Sequence, residues 1–184
     1  MGQCKFLMPL QNGKTIIENI LTQLKPLSLK QIIIVTQPEY LQVINEILSV
    51  LKLDNAQLIE NIFPEKERFY SLQLGIKALN GTGFCFIHNA DNPVIEAYTL
   101  EQLYSNKHKA DCIKPQFGKR GGHPILINNK ILMHLSKCNP ESFLNEEIKI
   151  FGNINVEMKN KSILFDLDNQ TDYTNFLKHQ FQPA

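Results

Sequence analysis

Four short stretches hold residues whose types and spacing could do chemistry. In "FCFIHNADNPVI" an apolar run passes directly into Asn89, Asp91 and Asn92, and Pro93 forbids the run from continuing as a strand. A carboxylate so placed suits Mg²⁺, which takes one or two carboxylates and leaves its other positions to water and substrate phosphates. The same Asp91 and Asn92 would also serve a turn and nothing more. In "NIFPEKERFYSLQLGI", Arg68 and Ser71 straddle a helix start, with Ser71 placed as an N-cap. Free N–H groups there could meet a phosphate or a base carbonyl, although a cap and a surface charge account for the same two residues. In "KPQFGKRGGHPILIN" a glycine-rich tip carries Lys119, Arg120 and His123 between two strand-like pieces. Two cations and an imidazole suit a phosphorylated ligand, and a solvated hairpin tip has the same composition. In "ILFDLDNQTDY", Asp166 and Asp168 alternate with apolar residues and so share a face in an extended chain, while Asp168 or Asn169 could equally cap the helix that follows.

The elements that must position these residues alternate along the chain. "KQIIIVT", "NAQLIEN" and "GFCFIHN" are short, β-branched or aromatic runs of the kind buried on both faces of a parallel sheet. Between and around them are helical patterns. "TIIENILTQLK" opens on a Thr15/Glu18 capping box, and "PEYLQVINEILSVLK" sets Tyr40, Ile44, Ile47, Leu48 and Leu51 on one face. "SLQLGIKALNG" stops at Gly81, "TLEQLYSN" offers Thr99 and Gln102 as a capping box, and "NPESFLNEEI" begins with Asn139 as cap. "DNQTDYTNFLKH" closes the chain as a helix carrying Tyr173, Phe176 and Leu177. Strand–helix alternation of this kind specifies an α/β layered fold, which binds ligands beyond the carboxyl ends of its strands.

Composition narrows the class. A chain of 184 residues with 43% hydrophobic and 20% charged residues reads as one globular domain. A net charge of +1 argues against a nucleic-acid surface. No apolar run approaches the roughly 18 residues of a membrane span. The four cysteines, Cys4, Cys85, Cys112 and Cys138, form no CxxC pair, so structural zinc is not expected and reduced thiols in a cytoplasm are.

Taken in order, these segments resemble the nucleotidyltransferases of the molybdenum cofactor, nearest their molybdopterin cytidylyltransferase-like branch. "MGQCKFLMPL" resembles the tail of the family's opening L-A-A-G-x-S-x-R-M-G signature and the L-x-P-L after it. "ENIFPEKERFYSLQLGI" is similar to its Gly-Arg-x-x-Ser-Leu-x-x-Gly segment, "IHNADNPVI" to its Asp-x-Pro segment, "GKRGGHPILI" to its Gly-Arg-Arg-Gly-His-Pro segment, and "FDLDNQTDY" to its closing D-x-D-T-P-E-D. Glu67 stands where Gly is usual, Gly121-Gly122 includes an extra Gly, and Gln170 replaces a Pro. The resemblance implies a single three-layer Rossmann-like nucleotidyltransferase domain over residues 1–184, with a mainly parallel sheet and a small β-hairpin insertion. It implies transfer of a nucleotide from a triphosphate, CTP, to a phosphorylated acceptor such as molybdopterin, with release of pyrophosphate. Asp91 and Asp168 would hold Mg²⁺, and Lys5 and Asp91 would act in catalysis. Gly2, Lys5, Arg68, Ser71 and Asn89 would bind the nucleotide, and Lys119, Arg120, Gly122 and His123 the acceptor. A molybdoenzyme or its chaperone is the implied partner, in the cytoplasm. A sugar-phosphate nucleotidyltransferase on the same fold, or an inactive nucleotide-binding homologue, is the alternative. Because the first strand of the signature is missing, about twenty further residues, one strand and its loop, are expected upstream of Met1.

Overall fold

The computed structural model describes residues 4–81 and 83–179. In chain order the elements are α1 (Ile16–Leu24), β1 (Ile32–Thr36), α2 (Leu41–Leu51), β2 (Ala56–Glu60), α3 (Arg68–Ala78), β3 (Phe84–Ile87), α4 (Ala97–Ser105), β4 (Cys112–Phe117), β5 (Arg120–Gly121), β6 (Ile125–Asn128), α5 (Asn129–Leu135), α6 (Leu144–Glu147), β7 (Asn153–Glu157) and α7 (Gln170–His179). Short 3₁₀ turns at Lys5–Leu7, Pro38–Tyr40 and Lys161–Leu164 complete the path.

Strands β1 and β2 pair in parallel, Ile32 opposite Ala56. A second sheet runs β3-β6-β4-β5, with β7 on the other side of β4. Strands β3, β4 and β7 share one direction, because β6 is antiparallel to both β3 and β4 and β7 is parallel to β4. The reversal of β6 follows from chain length. Only the tight β4–β5 hairpin separates it from β4, and so short a link can return the chain only antiparallel. Among the described residues no ladder joins β1 to β3.

The two sheets nevertheless form one layer, because the same helices cover both. Ile32 and Ile34 of β1 pack on Ile17 and Leu21 of α1, whose Ile16 and Ile20 reach Phe86 of β3. From the opposite face, Gly75 of α3 lies so close to β1 that a Cβ there would stand 3.3 Å from Val35, while Phe69, Leu72 and Ile76 of the same helix pack on Ile87 and Ile127. Alternating residues of β1 thus face α1 and α3, the period of two that a strand buried on both faces requires. This is the expected three-layer arrangement.

Local signals decided the helix starts unevenly. Thr15 and Glu18 do make a reciprocal capping box on α1. Ser71 does not cap α3, which begins at Arg68, so Ser71 lies one turn inside. Thr99 is likewise inside α4 and buried, not its cap. Asn139 caps a turn, accepting from the Glu141 N–H at 3.1 Å, and only Leu144–Glu147 of the segment after it is helical. At the last helix the choice between Asp168 and Asn169 falls to Asn169, which accepts from the Asp172 N–H at 3.0 Å while Asp172 accepts from its own N–H at 3.2 Å. Asp168 is left free of capping duty. No helix among the described residues is long and apolar enough to cross a membrane.

Candidate active site

The segment leaving the carboxyl end of β3 is fixed by buried polar groups. His88 donates from Nε2 to the Asn92 carbonyl at 2.8 Å, and the fully buried Asn92 donates to the Ile163 carbonyl at 3.2 Å and accepts from the Val94 N–H at 3.3 Å. Asn92 anchors the segment, and its N–H closes a turn on the Asn89 carbonyl at 3.2 Å with Ala90 and Asp91 as the central residues. The Asp91 carboxylate takes no part in that turn bond and points to Arg68. The Asp91 carbonyl accepts from the Leu167 N–H at 3.0 Å and so draws the Phe165–Asp168 segment alongside. Leu167 is buried, and Asp166 and Asp168 flank it as the alternation in "FDLD" requires.

Three carboxylates gather as a result. Burial and the neighbouring Asp91 push the Asp166 carboxyl above the ordinary carboxylate range, Asp168 adds to this, and His123 and Arg68 oppose it. Asp91 Oδ2 accepts from Arg68 Nη2 at 2.8 Å, whereas Asp91 Oδ1 is buried without a hydrogen-bond partner. Asp168 lies farther out, 3.5 Å from Lys5 Nζ. A buried, unpartnered carboxylate oxygen beside a second carboxylate is costly alone and is what a hard cation satisfies. Asp91 and Asp166 therefore fit a divalent metal bound through oxygen. The resemblance implies Asp168 as the second ligand, and Asp168 stands at the rim beside Lys5. The "FDLD" alternation carried the signal for Asp166 but could not say which of the two faces Asp91.

Two imidazoles border the carboxylates. Burial lowers His88 to about 4, with the Asn92 carbonyl opposing and His123 reinforcing the shift. Burial also lowers His123, against the pull of Asp166 and Asp91. Asn89 Nδ2 stands 3.2 Å from His123 Nε2, so the amide donates to a neutral ring whose Nδ1 carries the proton. Nδ1 of both histidines is buried and unpartnered, as is Thr36 Oγ1 at the carboxyl end of β1. His123 was expected as an acceptor contact on the hairpin tip. It sits instead at the base of the hairpin, its N–H bonded to the Ile163 carbonyl at 3.1 Å, and the His123–Pro124 bond is cis.

The other expected residues divide. Arg68 joins the cluster through Asp91, and Lys5 joins it through Asp168. Lys5 is held there because its segment docks on the last helix, where the Tyr173 hydroxyl donates to the Pro9 carbonyl. Asn89 joins through His123. Ser71 does not, since its Oγ accepts from Asn61 Nδ2 at 3.0 Å and ties the loop before α3 to the helix. Lys119 and Arg120 are exposed on the hairpin and make no ion pair among the described residues. Gly122 is a packing residue, for a Cβ there would lie 2.2 Å from the Ile163 carbonyl oxygen. Gly2 lies outside the described residues. A shallow depression lined by Phe84, Lys107, His108, Asp111 and Asn128 lies at the opposite ends of these strands and holds none of the expected residues.

The family model of the MobA-like NTP transferase domain matches residues 1–149. The chain belongs to that family. No curated protein matches it significantly. Solved structures share the fold at low identity. Rv0371c of Mycobacterium tuberculosis in complex with manganese is 14% identical, with a TM-score of 0.72 over 96% of this chain and 93% of that one. Molybdopterin-guanine dinucleotide biosynthesis protein A of Archaeoglobus fulgidus is 15% identical, with a TM-score of 0.71 over 97% and 91%. The 4-diphosphocytidyl-2C-methyl-D-erythritol synthase of Anaerococcus prevotii is 14% identical, with a TM-score of 0.78 over 92% and 87%. The MobA-like domain thus shares its fold with proteins that carry different names. The carboxylate cluster lies where this fold places its ligands, at the carboxyl ends of the strands.

Proposed function

We propose that this MobA-like domain transfers a nucleotidyl group from CTP to a phosphorylated small molecule of the molybdopterin class and releases pyrophosphate, with Mg²⁺ held by Asp91 and Asp166. The observation that carries the reading is the buried, unpartnered Oδ1 of Asp91 beside the solvent-accessible Asp166 carboxyl. The hard oxygen donors favour Mg²⁺ over softer ions. The metal when bound neutralises triphosphate charge, which is the main demand of in-line transfer at phosphorus.

The chain's own residues do the rest. Arg68 turns from Asp91 to the triphosphate once a cation takes over the carboxylate. The Arg68 guanidinium is 76% exposed, so water would take over its side of the pair, while the cation would take over the largely buried Asp91. Lys5, paired with Asp168 at the rim, meets the triphosphate from the other side. Burial holds His123 below its ordinary value and Asn89, 3.2 Å from Nε2, orients the ring, so it shapes the site without adding charge. Lys119 and Arg120, exposed and unpaired on the hairpin beyond the strand ends, receive the acceptor's phosphate. No general base is required, because an acceptor phosphate is already ionised at neutral pH.

A pyrophosphate-release screen with four triphosphates, each against molybdopterin and against sugar 1-phosphates, tests this. Release with CTP and molybdopterin supports it. Turnover confined to sugar 1-phosphates transfers the site to the other acceptor class. Tight nucleotide binding without release makes the chain a binding homologue.

A further inference from the structure

His134, Cys138 and Glu147 bring an imidazole nitrogen, a thiol and a carboxylate oxygen within 4.8 Å of one another, away from the carboxylate cluster. His134 lies on α5, Cys138 just beyond its end, and Glu147 on α6, so a loop of the chain returns the third residue to the first two. Glu147 Oε2 is the hub, 2.8 Å from His134 Nε2 and 3.1 Å from Cys138 Sγ. The backbone beneath is fixed from α3. The buried Gln73 donates from Nε2 to the carbonyls of Leu135 and Cys138, at 2.8 Å each. The His134 ring is braced edge-on against Phe151, 5.1 Å between centroids.

We propose that His134 Nε2, Cys138 Sγ and Glu147 Oε2 bind a borderline d-block cation, Zn²⁺ by preference. The donor set of one nitrogen, one thiolate and one carboxylate is a zinc set, and hard ions such as Mg²⁺ reject the sulfur. The present spacings are those of hydrogen bonds. Zinc bonds of about 2.0–2.3 Å in a tetrahedron need donors roughly 0.5 Å farther apart, a change that turning the Glu147 carboxylate supplies. Binding sends the Cys138 thiol proton to solvent, and the neutral His134 ring binds through Nε2 with its single N–H on Nδ1. His134 keeps 32% and Glu147 23% side-chain exposure, so one coordination position is open to water. The ion would clamp the loop between Cys138 and Glu147 onto α5. No CxxC spacing announces such a site, because its ligands meet through a turn and a short helix.

The test uses the full chain, stripped with chelator, supplied with Zn²⁺ alone and dialysed. Expected is about one Zn²⁺ retained per chain, with Cys138 protected from alkylation in peptide maps while Cys4 reacts as before. His134→Gln and Cys138→Ser should each weaken Zn²⁺ by more than about 100-fold, beyond the 10–100-fold typical of losing an outer-shell partner. The double variant Asp91→Asn, Asp166→Asn should leave it unchanged. Circular dichroism checks that each variant is folded. If wild type retains no zinc, or if His134→Gln and Cys138→Ser retain it while the Asp91/Asp166 variant loses it, the proposal is overturned and the three residues form a hydrogen-bonded cluster only.

Discussion

Gly122→Ala should be the most disruptive single-methyl change near the site, for a reason of contact alone. A Cβ on Gly122 would stand 2.2 Å from the Ile163 oxygen, 2.8 Å from its carbonyl carbon and 2.9 Å from its Cβ. The obstacle is mainly backbone, so no rotamer change relieves it, and ordinary contact requires about 1 Å of separation to open. That carbonyl accepts from the His123 N–H at 3.1 Å and from Asn92 Nδ2 at 3.2 Å, and both bonds stretch if it moves. Overpacking costs about 1–3 kcal/mol and each of the two lost hydrogen bonds about 0.5–1.5 kcal/mol, so the variant should lose about 2–6 kcal/mol. Gly121→Ala is the control, since its Cβ would meet nothing nearer than the Pro115 oxygen at 3.9 Å and should cost under about 0.5 kcal/mol. Urea unfolding with a common slope gives both numbers. Equal midpoints for the two variants would refute the close approach of the hairpin to Lys161–Leu164, and with it the placement of Asp166.

Further outcomes follow from the same geometry. Asp91→Asn should change metal-free stability by less than about 1 kcal/mol in chemical denaturation, because it removes one exposed ion pair and one carboxylate repulsion of opposite sign. A large destabilisation would mean that the Arg68–Asp91 pair is a structural contact. Lys119→Ala combined with Arg120→Ala should raise KM for the acceptor and leave nucleotide affinity unchanged, and calorimetry showing the reverse would reassign the hairpin. His88, lowered from 6.5 to about 4, stabilises the fold above pH 6.5 through its neutral form, and that stability is lost as pH falls towards 4. The loss should be about 3 kcal/mol, and His88→Asn should flatten the dependence of the unfolding free energy on pH in that window.

The strands were legible because runs such as "KQIIIVT" admit no helical period, and the layers followed from their alternation with amphipathic helices. The cap at Thr15 was legible because both halves of the box lie within one turn. Ser71 and Thr99 were misread because a hydroxyl near a helix start is common, and what decided the start was tertiary packing of Phe69 and Leu100. Helix α5 went unread: its seven residues are too few to show a period. In the site, Asp91 was visible from its position at a strand end. The placing of Asp166 beside Asp91 depends on the Leu167–Asp91 backbone bond between distant segments, which no local pattern contains. For the same reason the burial of His123 was hidden: "KRGGHP" reads as one exposed tip, yet Gly122 packs its second half against Ile163.

The most direct test of the central claim is pyrophosphate release measured against Mg²⁺ concentration for wild type, Asp91→Asn and Asp166→Asn, with CTP and molybdopterin supplied. Turnover should require the metal, and each variant should fall by about 100-fold or more, the equivalent of roughly 3 kcal/mol of lost charge stabilisation. Wild-type rates in chelator, or in either variant, would contradict it.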